Sequence, residues 1–128
     1  VPIFVPAFSD CSAGFGLVHH QYYSKGEIVS IDSAKDFLEL TKIKIAAGET
    51  GIFMVGGGVP KNFIQQSMQF SKGASYGVQI TTDRPEPGGS SGAELREGIS
   101  WGKMNPDGEF VDVYCDATIA LPLIYASL

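Results

Sequence analysis

Hydrophobic positions along the chain switch between short continuous runs and a helical period. Val1 to Phe8 is apolar but carries Pro2 and Pro6, and predicts a short strand running into a loop at Ser9-Asp10-Cys11. Ser12 to Tyr23 has no clear period, and Gly14 and Gly16 weaken any helix there. Ser33 to Ala47 is a better helix: Ala34, Phe37, Leu38, Thr41 and Ile45 fall on one face. Asp32 or Ser33 can cap it, Asp36 has the capping-box spacing from Ser33, and Gly48 ends it. Gly51 to Val55 reads as a buried strand, broken by Gly56-Gly57-Gly58. A helix follows with Pro60 in its first turn, where a missing N–H costs nothing. Phe63, Ile64, Ser67, Met68 and Phe70 supply its inner face, and Gly73 terminates it. Tyr76 to Thr82 is a strand, Asp83 to Gly92 a loop, and Ala93 to Gly98 a short helix. Glu109 to Cys115 alternates in period two after Asp107-Gly108, and Ala117 to Leu128 is an apolar helix or buried segment interrupted by Pro122. This β-α-β-α-β order predicts an α/β fold: a Rossmann-like parallel sheet with helices on both faces, in one domain spanning residues 1–128.

Composition narrows the class. With 44% hydrophobic and 18% charged residues the chain can build a core and is not disordered. No apolar run approaches the length of a membrane-spanning helix. Nothing after Val1 resembles a signal peptide, and the missing initiator Met suggests a processed chain or part of a longer one. Cys11 and Cys115 have no metal-ligand spacing and read as reduced thiols of a cytoplasmic protein. A net charge of −5 disfavours nucleic acid as a partner. That whole charge lies between Asp83 and Asp116, beside Trp101, where carboxylates and an indole face could hold a cationic ligand; a solvated acidic loop is the plainer alternative.

Three groups could carry chemistry. The strand–GGG–helix junction allows backbone N–H groups to approach a phosphate, although the spacing is not GxGxxG and a plain tight turn would look the same. Lys103, in Ser100-Trp101-Gly102-Lys103, could form an imine with a carbonyl or exchange with another imine, although a lone lysine before a turn is usually a surface residue. His19-His20 is a poor metal site, because neighbouring side chains diverge and no further histidine exists.

Four stretches together resemble the deoxyhypusine synthase family: Pro6-Ala7-Phe8-Ser9-Asp10, Gly56-Gly57-Gly58-Val59-Pro60-Lys61, Ser100-Trp101-Gly102-Lys103 and Val113-Tyr114-Cys115-Asp116-Ala117-Thr118. They occur in the family's order, and the resemblance covers essentially all 128 residues, corresponding to the C-terminal part of a family member. It implies a homotetrameric, NAD-dependent enzyme acting on spermidine. A lysine carries the aminobutyl group as an imine, 1,3-diaminopropane leaves, and an acceptor amine takes the group. Lys103 matches that lysine. Asp10, Gly56, Gly57, Gly58, Thr82, Gly88, Asp116 and Ala117 match NAD contacts; Trp101 and Glu97 match the polyamine pocket. The rest of the NAD site is then expected from outside these residues, so the 128 residues alone are not expected to be catalytic. An apolar surface is expected on Val1–Phe8 or Ala117–Leu128.

Departures lie in the substrate-binding positions. Phe15 and Ser90 stand where typical eukaryotic members have amine-binding aspartates. Asn62 replaces a pocket histidine, Gln66 an asparagine one helical turn on, and Gln79 a pocket tyrosine. These changes resemble the bacterial-type branch and leave two acceptors open: a lysine of the translation factor 5A precursor, or putrescine, which gives homospermidine. A non-catalytic regulatory paralogue that binds NAD or polyamine is the competing reading.

Overall fold

A computed structural model describes residues 1–128. Its centre is a three-stranded parallel sheet in the order β1 (Gly51–Val55), β2 (Ala74–Thr81), β3 (Met104–Tyr114). Four helices flank it: α1 (Ser12–Tyr23), α2 (Ser33–Ala47), α3 (Val59–Met68) and α4 (Ala117–Ala126), with 3-10 turns at Phe8–Asp10 and Leu95–Trp101. This is the expected α/β class, consistent with a Rossmann-like domain.

One sheet face carries the core. The register aligns Ile52 with Gly77 and Met54 with Gln79, and Gly77 and Gln79 in turn with Phe110 and Asp112. Side chains alternate across a sheet, so these residues share a face. Ile52 and Met54 pack with Met68, Ala74, Leu95 and Met104, with Ile64, Ile99 and Phe110 against them. All three methionines of the chain lie in this cluster, filling the irregular space under the 3-10 segment. On the opposite face Phe53, Val55, Tyr76 and Val111 are exposed, and so are Val1, Ile3, Ile119, Leu123 and Tyr125. Exposed apolar surface thus occupies both expected segments and the sheet face as well.

Several elements differ from expectation. Residues 1–7 form no strand; Pro2 and Pro6 lack the N–H that a ladder needs, and the sheet begins at β1. Ser12–Tyr23 is helical despite its glycines, and Gly14 has a packing reason, because a Cβ there would collide with the Phe8 carbonyl. The inner face of α2 is rotated: Thr41 and Lys44 are buried, Phe37 and Leu40 are half-buried, and Ala34, Leu38 and Ile45 are exposed. Lys44 reaches forward to donate to the Gly48 carbonyl at 2.7 Å, which gives its buried ammonium a partner and satisfies one helix-end acceptor. Gly51–Val55 is buried at Ile52 and Met54 only. Phe70 is exposed beyond the end of α3. β2 starts two residues earlier than expected. β3 starts at Met104, with a register shift that bulges out the Pro106–Gly108 stretch. The expected helix at Ala93–Gly98 is a 3-10 segment at Leu95–Trp101. Pro122 sits inside α4, in the exposed final helix.

Asp32, rather than Ser33, caps α2, accepting from Ala34 N and Lys35 N at 3.1 Å. Asp116 caps α4, accepting from Thr118 N at 2.8 Å and Thr118 Oγ1 at 2.6 Å. The Lys35 N–H holds the Asp32 carboxyl below the ordinary 3.8, and the Thr118 hydroxyl does the same for Asp116. A depressed carboxyl stabilises the fold above 3.8, and that stabilisation is lost as pH falls through the lowered values. Circular dichroism of the acid titration checks this: the Asp32→Asn, Asp116→Asn double variant should lose less helix than the parent below pH 3.8.

Candidate active site

The three strands end together at Val55, Thr81 and Tyr114, and a glycine turn begins at once. Gly56 and Gly58 hold φ of 77° and 73°, a region that L side chains rarely adopt. Gly57 fits for a different reason: a Cβ there would stand 2.5 Å from Ser91 Cα. The chain can therefore reverse into α3 while pressed against the 88–92 loop. No side chain caps α3, and Pro60 occupies its first turn. The N–H groups of that turn lie at the carboxyl ends of the strands, where open α/β sheets take their ligands.

Two polar clefts flank this turn. The first, of about 290 Å³, sits over the strand ends and is lined by Gly56, Gly57, Thr82, Asp83, Cys115, Asp116 and Ala117 among others. The second, of about 250 Å³, lies between α3, the Gly88–Ser90 loop and the 3-10 segment. It gathers Asn62, Gly88, Ser90, Glu97, Trp101 and Lys103, residues as many as 41 positions apart in sequence. Lys103 Nζ donates to Asn62 Oδ1 at 3.0 Å and stands 5.7 Å from the centroid of the Trp101 ring. A third hollow of about 310 Å³, between Phe4, Phe53 and Phe63, is apolar, with Lys61 its one titratable side chain.

The remaining residues singled out from the sequence lie elsewhere. Gly88 lines the second cleft and not the first, and Gly58 sits at the N-cap of α3 outside both. Asp10 is exposed in the first 3-10 turn. Phe15 is 78% exposed on α1 and lines neither cleft. Gln66 points outward, and its neighbour Gln65 lines the second cleft in its place, because the face of α3 turned to the cleft is that of Lys61 and Gln65, four residues apart. His19 packs against Tyr23, at 4.5 Å between ring centroids. Cys11 and Cys115 are both free thiols.

No role for Lys61, Gln65 or Asp112 follows from the sequence alone. Lys61 is buried on the cleft floor; burial pulls its ammonium below the ordinary lysine value, while the Asp112 and Glu97 carboxylates push back and Lys103 adds to the depression. Burial raises the Asp112 carboxyl, with the Leu95 N–H opposing. The available signal was a polar Gln79 between the β-branched Val78 and Ile80, since such a residue is buried only where partners await it.

A family model described as deoxyhypusine synthase matches residues 1–128. The chain belongs to the deoxyhypusine synthase family. It is 54% identical over 132 residues to a deoxyhypusine synthase-like protein of Chlorobaculum tepidum, covering 97% of this chain and 37% of that protein. A deoxyhypusine synthase-like protein of Coxiella burnetii is 47% identical, with the same coverages. A protein of Archaeoglobus fulgidus named probable deoxyhypusine synthase 1 is 46% identical over 100% of this chain and 41% of its own length. The chain thus spans about two fifths of the length of these relatives. No helix is long and apolar enough to cross a membrane.

Proposed function

We propose that the protein, as a cytoplasmic homotetramer, transfers the 4-aminobutyl group of spermidine to an acceptor amine with NAD as cofactor. The observation that carries this reading is the setting of Lys103: a primary amine held by Asn62 at 3.0 Å, beside Trp101, in the cleft that contains Glu97. In its neutral form the Lys103 amine attacks the imine carbon of dehydrogenated spermidine. The bond from that carbon to the 1,3-diaminopropane nitrogen breaks, and the leaving amine takes a proton. Lys103 then holds the aminobutyl group as an imine until the acceptor amine attacks and frees it. Trp101 would lie against the methylenes and Glu97 would hold the terminal ammonium. The acceptor is putrescine or a lysine of the translation factor 5A precursor, and the product tells them apart.

The strand-end cleft fits a dinucleotide phosphate on two counts. A Cβ at Gly56 would meet nothing within 4 Å, and the first turn of α3 has no side chain capping it. Gly56, Gly57, Thr82, Asp116 and Ala117 would hold the cofactor on this side, with Gly58 at the N-cap of α3 beside them; Asp10 and Gly88, which lie outside this cleft, and the opposite wall would complete the site from elsewhere. Held there, NAD would supply the hydride acceptor for oxidation beside the secondary amine and the hydride donor for reduction of the product imine.

Reductive trapping tests the reading. The full-length protein treated with spermidine, NAD and cyanoborohydride should gain one aminobutyl group on the peptide bearing Lys103, and an unmodified Lys103 peptide would refute the imine. Glu97→Gln should raise the KM for spermidine by up to about fivefold, because an exposed ion pair contributes at most about 1 kcal/mol. Steady-state kinetics at varied spermidine checks that value.

A further inference from the structure

We infer that the buried Gln79 and Lys61, with the half-buried Asp112, form a clamp on the backbone of Ala93–Leu95 that positions Glu97 and Trp101 for the amine. The inference rests on the reading of the Lys103 cleft as an amine site. Gln79 is fully buried on β2, and its Nε2 donates to the Ala93 carbonyl and to Asp112 Oδ1, each at 3.1 Å. Lys61 Nζ, from α3, donates to the same Ala93 carbonyl at 2.6 Å, so both lone pairs of that oxygen are used. Asp112, on β3, accepts the Leu95 N–H at 3.3 Å on either oxygen. Three side chains from three elements thereby hold the two backbone groups on either side of Glu94.

Packing anchors this segment through the core residue Leu95, but no side chain of its own caps its N-terminus. Leu95–Trp101 is a 3-10 helix of seven residues, and Glu94 at its N-cap makes no side-chain cap bond. The Asp112 carboxylate acts as the missing cap, supplied from another strand. Glu97 follows two residues after the capped N–H and Trp101 ends the segment, so a shift at Leu95 is carried to both walls of the cleft. The orientation of Gln79 is also fixed. Both neighbours of its Nε2 are acceptors, so a flipped amide would set oxygen against oxygen. That choice leaves Gln79 Oε1 buried without a partner. Leaving a buried acceptor unmet is unfavourable, and here it accompanies donation to Ala93 and Asp112 by the same amide. Gln79 and Asp112 line neither polar cleft, so they are positioning residues and not contacts to the amine.

The test uses the full-length protein with Asp112→Ala, Asp112→Asn and Gln79→Leu. Asp112→Ala and Gln79→Leu should raise the KM for spermidine about tenfold, since both Glu97 and Trp101, which would hold the amine in the ground state, lose their fixed positions. The kcat and the KM for NAD should stay within about threefold, because the strand-end cleft does not depend on the clamp. Asp112→Asn keeps an acceptor oxygen for Leu95 N and Gln79 Nε2, so it should restore most of the affinity and still fold if the alanine variant does not. Hydrogen exchange reads the clamp directly: peptides covering Leu95–Trp101 should lose protection in Asp112→Ala or Gln79→Leu, while β1 keeps its own. Unchanged exchange at Leu95–Trp101 overturns the clamp, and so does faster exchange with an unaltered KM for spermidine. If the parent releases no 1,3-diaminopropane, the proposed reaction fails, and exchange alone then decides the clamp.

Discussion

Lys103→Ala is expected to reduce aminobutyl transfer to below about one-thousandth of the parent while leaving the fold intact. The two effects separate because the backbone of Lys103 is bonded independently of its side chain. Its N–H donates to the Gly98 carbonyl at 2.9 Å, and its carbonyl accepts from Ala74 N at 3.1 Å, where β3 joins β2. Alanine keeps both bonds. The side chain contributes one hydrogen bond, to Asn62, and its position beside Trp101. Lys103→Arg is the sharper variant: it preserves a cation beside the indole but stays protonated, so it cannot act as a nucleophile. Both variants should retain the parent's melting temperature to within a few degrees and lose 1,3-diaminopropane release together. Turnover by Lys103→Arg within tenfold of the parent would remove the imine from the reaction.

Gly57→Ala is expected to destabilise the fold by about 1–3 kcal/mol, the usual cost of overpacking, and to impair both clefts with one methyl group. The added Cβ would stand 2.5 Å from Ser91 Cα and 2.9 Å from Ser91 Cβ, so no side-chain rotation relieves the contact and the loop itself must move. Gly57 lines the strand-end cleft, and the loop carries Gly88 and Ser90 into the Lys103 cleft. Thermal melts should report a lower midpoint, and KM values for NAD and spermidine should rise together. Gly16→Ala is the control, on an exposed stretch of α1 with nothing within 4 Å of the new methyl. Alanine there should be neutral or stabilising, because it favours a helix over glycine.

The parts of the fold legible in the sequence are those set by local chemistry. Asp32 and Gly48 bound α2, Pro60 opens α3, and the glycine turn stands at the end of β1. What escaped depends on contacts distant in sequence. Leu38 and Ile45 have the spacing of an inner face, but tertiary packing turns Phe37, Leu40, Thr41 and Lys44 inward. Val1–Phe8 has strand composition, yet its prolines keep it off the sheet. Motifs assembled much of the site, since Asn62, Glu97, Trp101 and Lys103 meet in one cleft. Gln66 misses it by about 100° of helical rotation, the angle of one residue. Asp112 was out of reach, because its role depends on the register that pairs it with Gln79.

The most direct measurement of the central claim is product analysis by mass spectrometry. The full-length protein is incubated with NAD and spermidine, with and without putrescine. The account predicts 1,3-diaminopropane in both, accompanied by homospermidine when putrescine is the acceptor. With a protein acceptor, homospermidine is absent and deoxyhypusine forms once the factor precursor is supplied. Spermidine recovered intact, with no 1,3-diaminopropane in any mixture, would contradict the account and leave a regulatory chain that binds NAD or polyamine without turning it over.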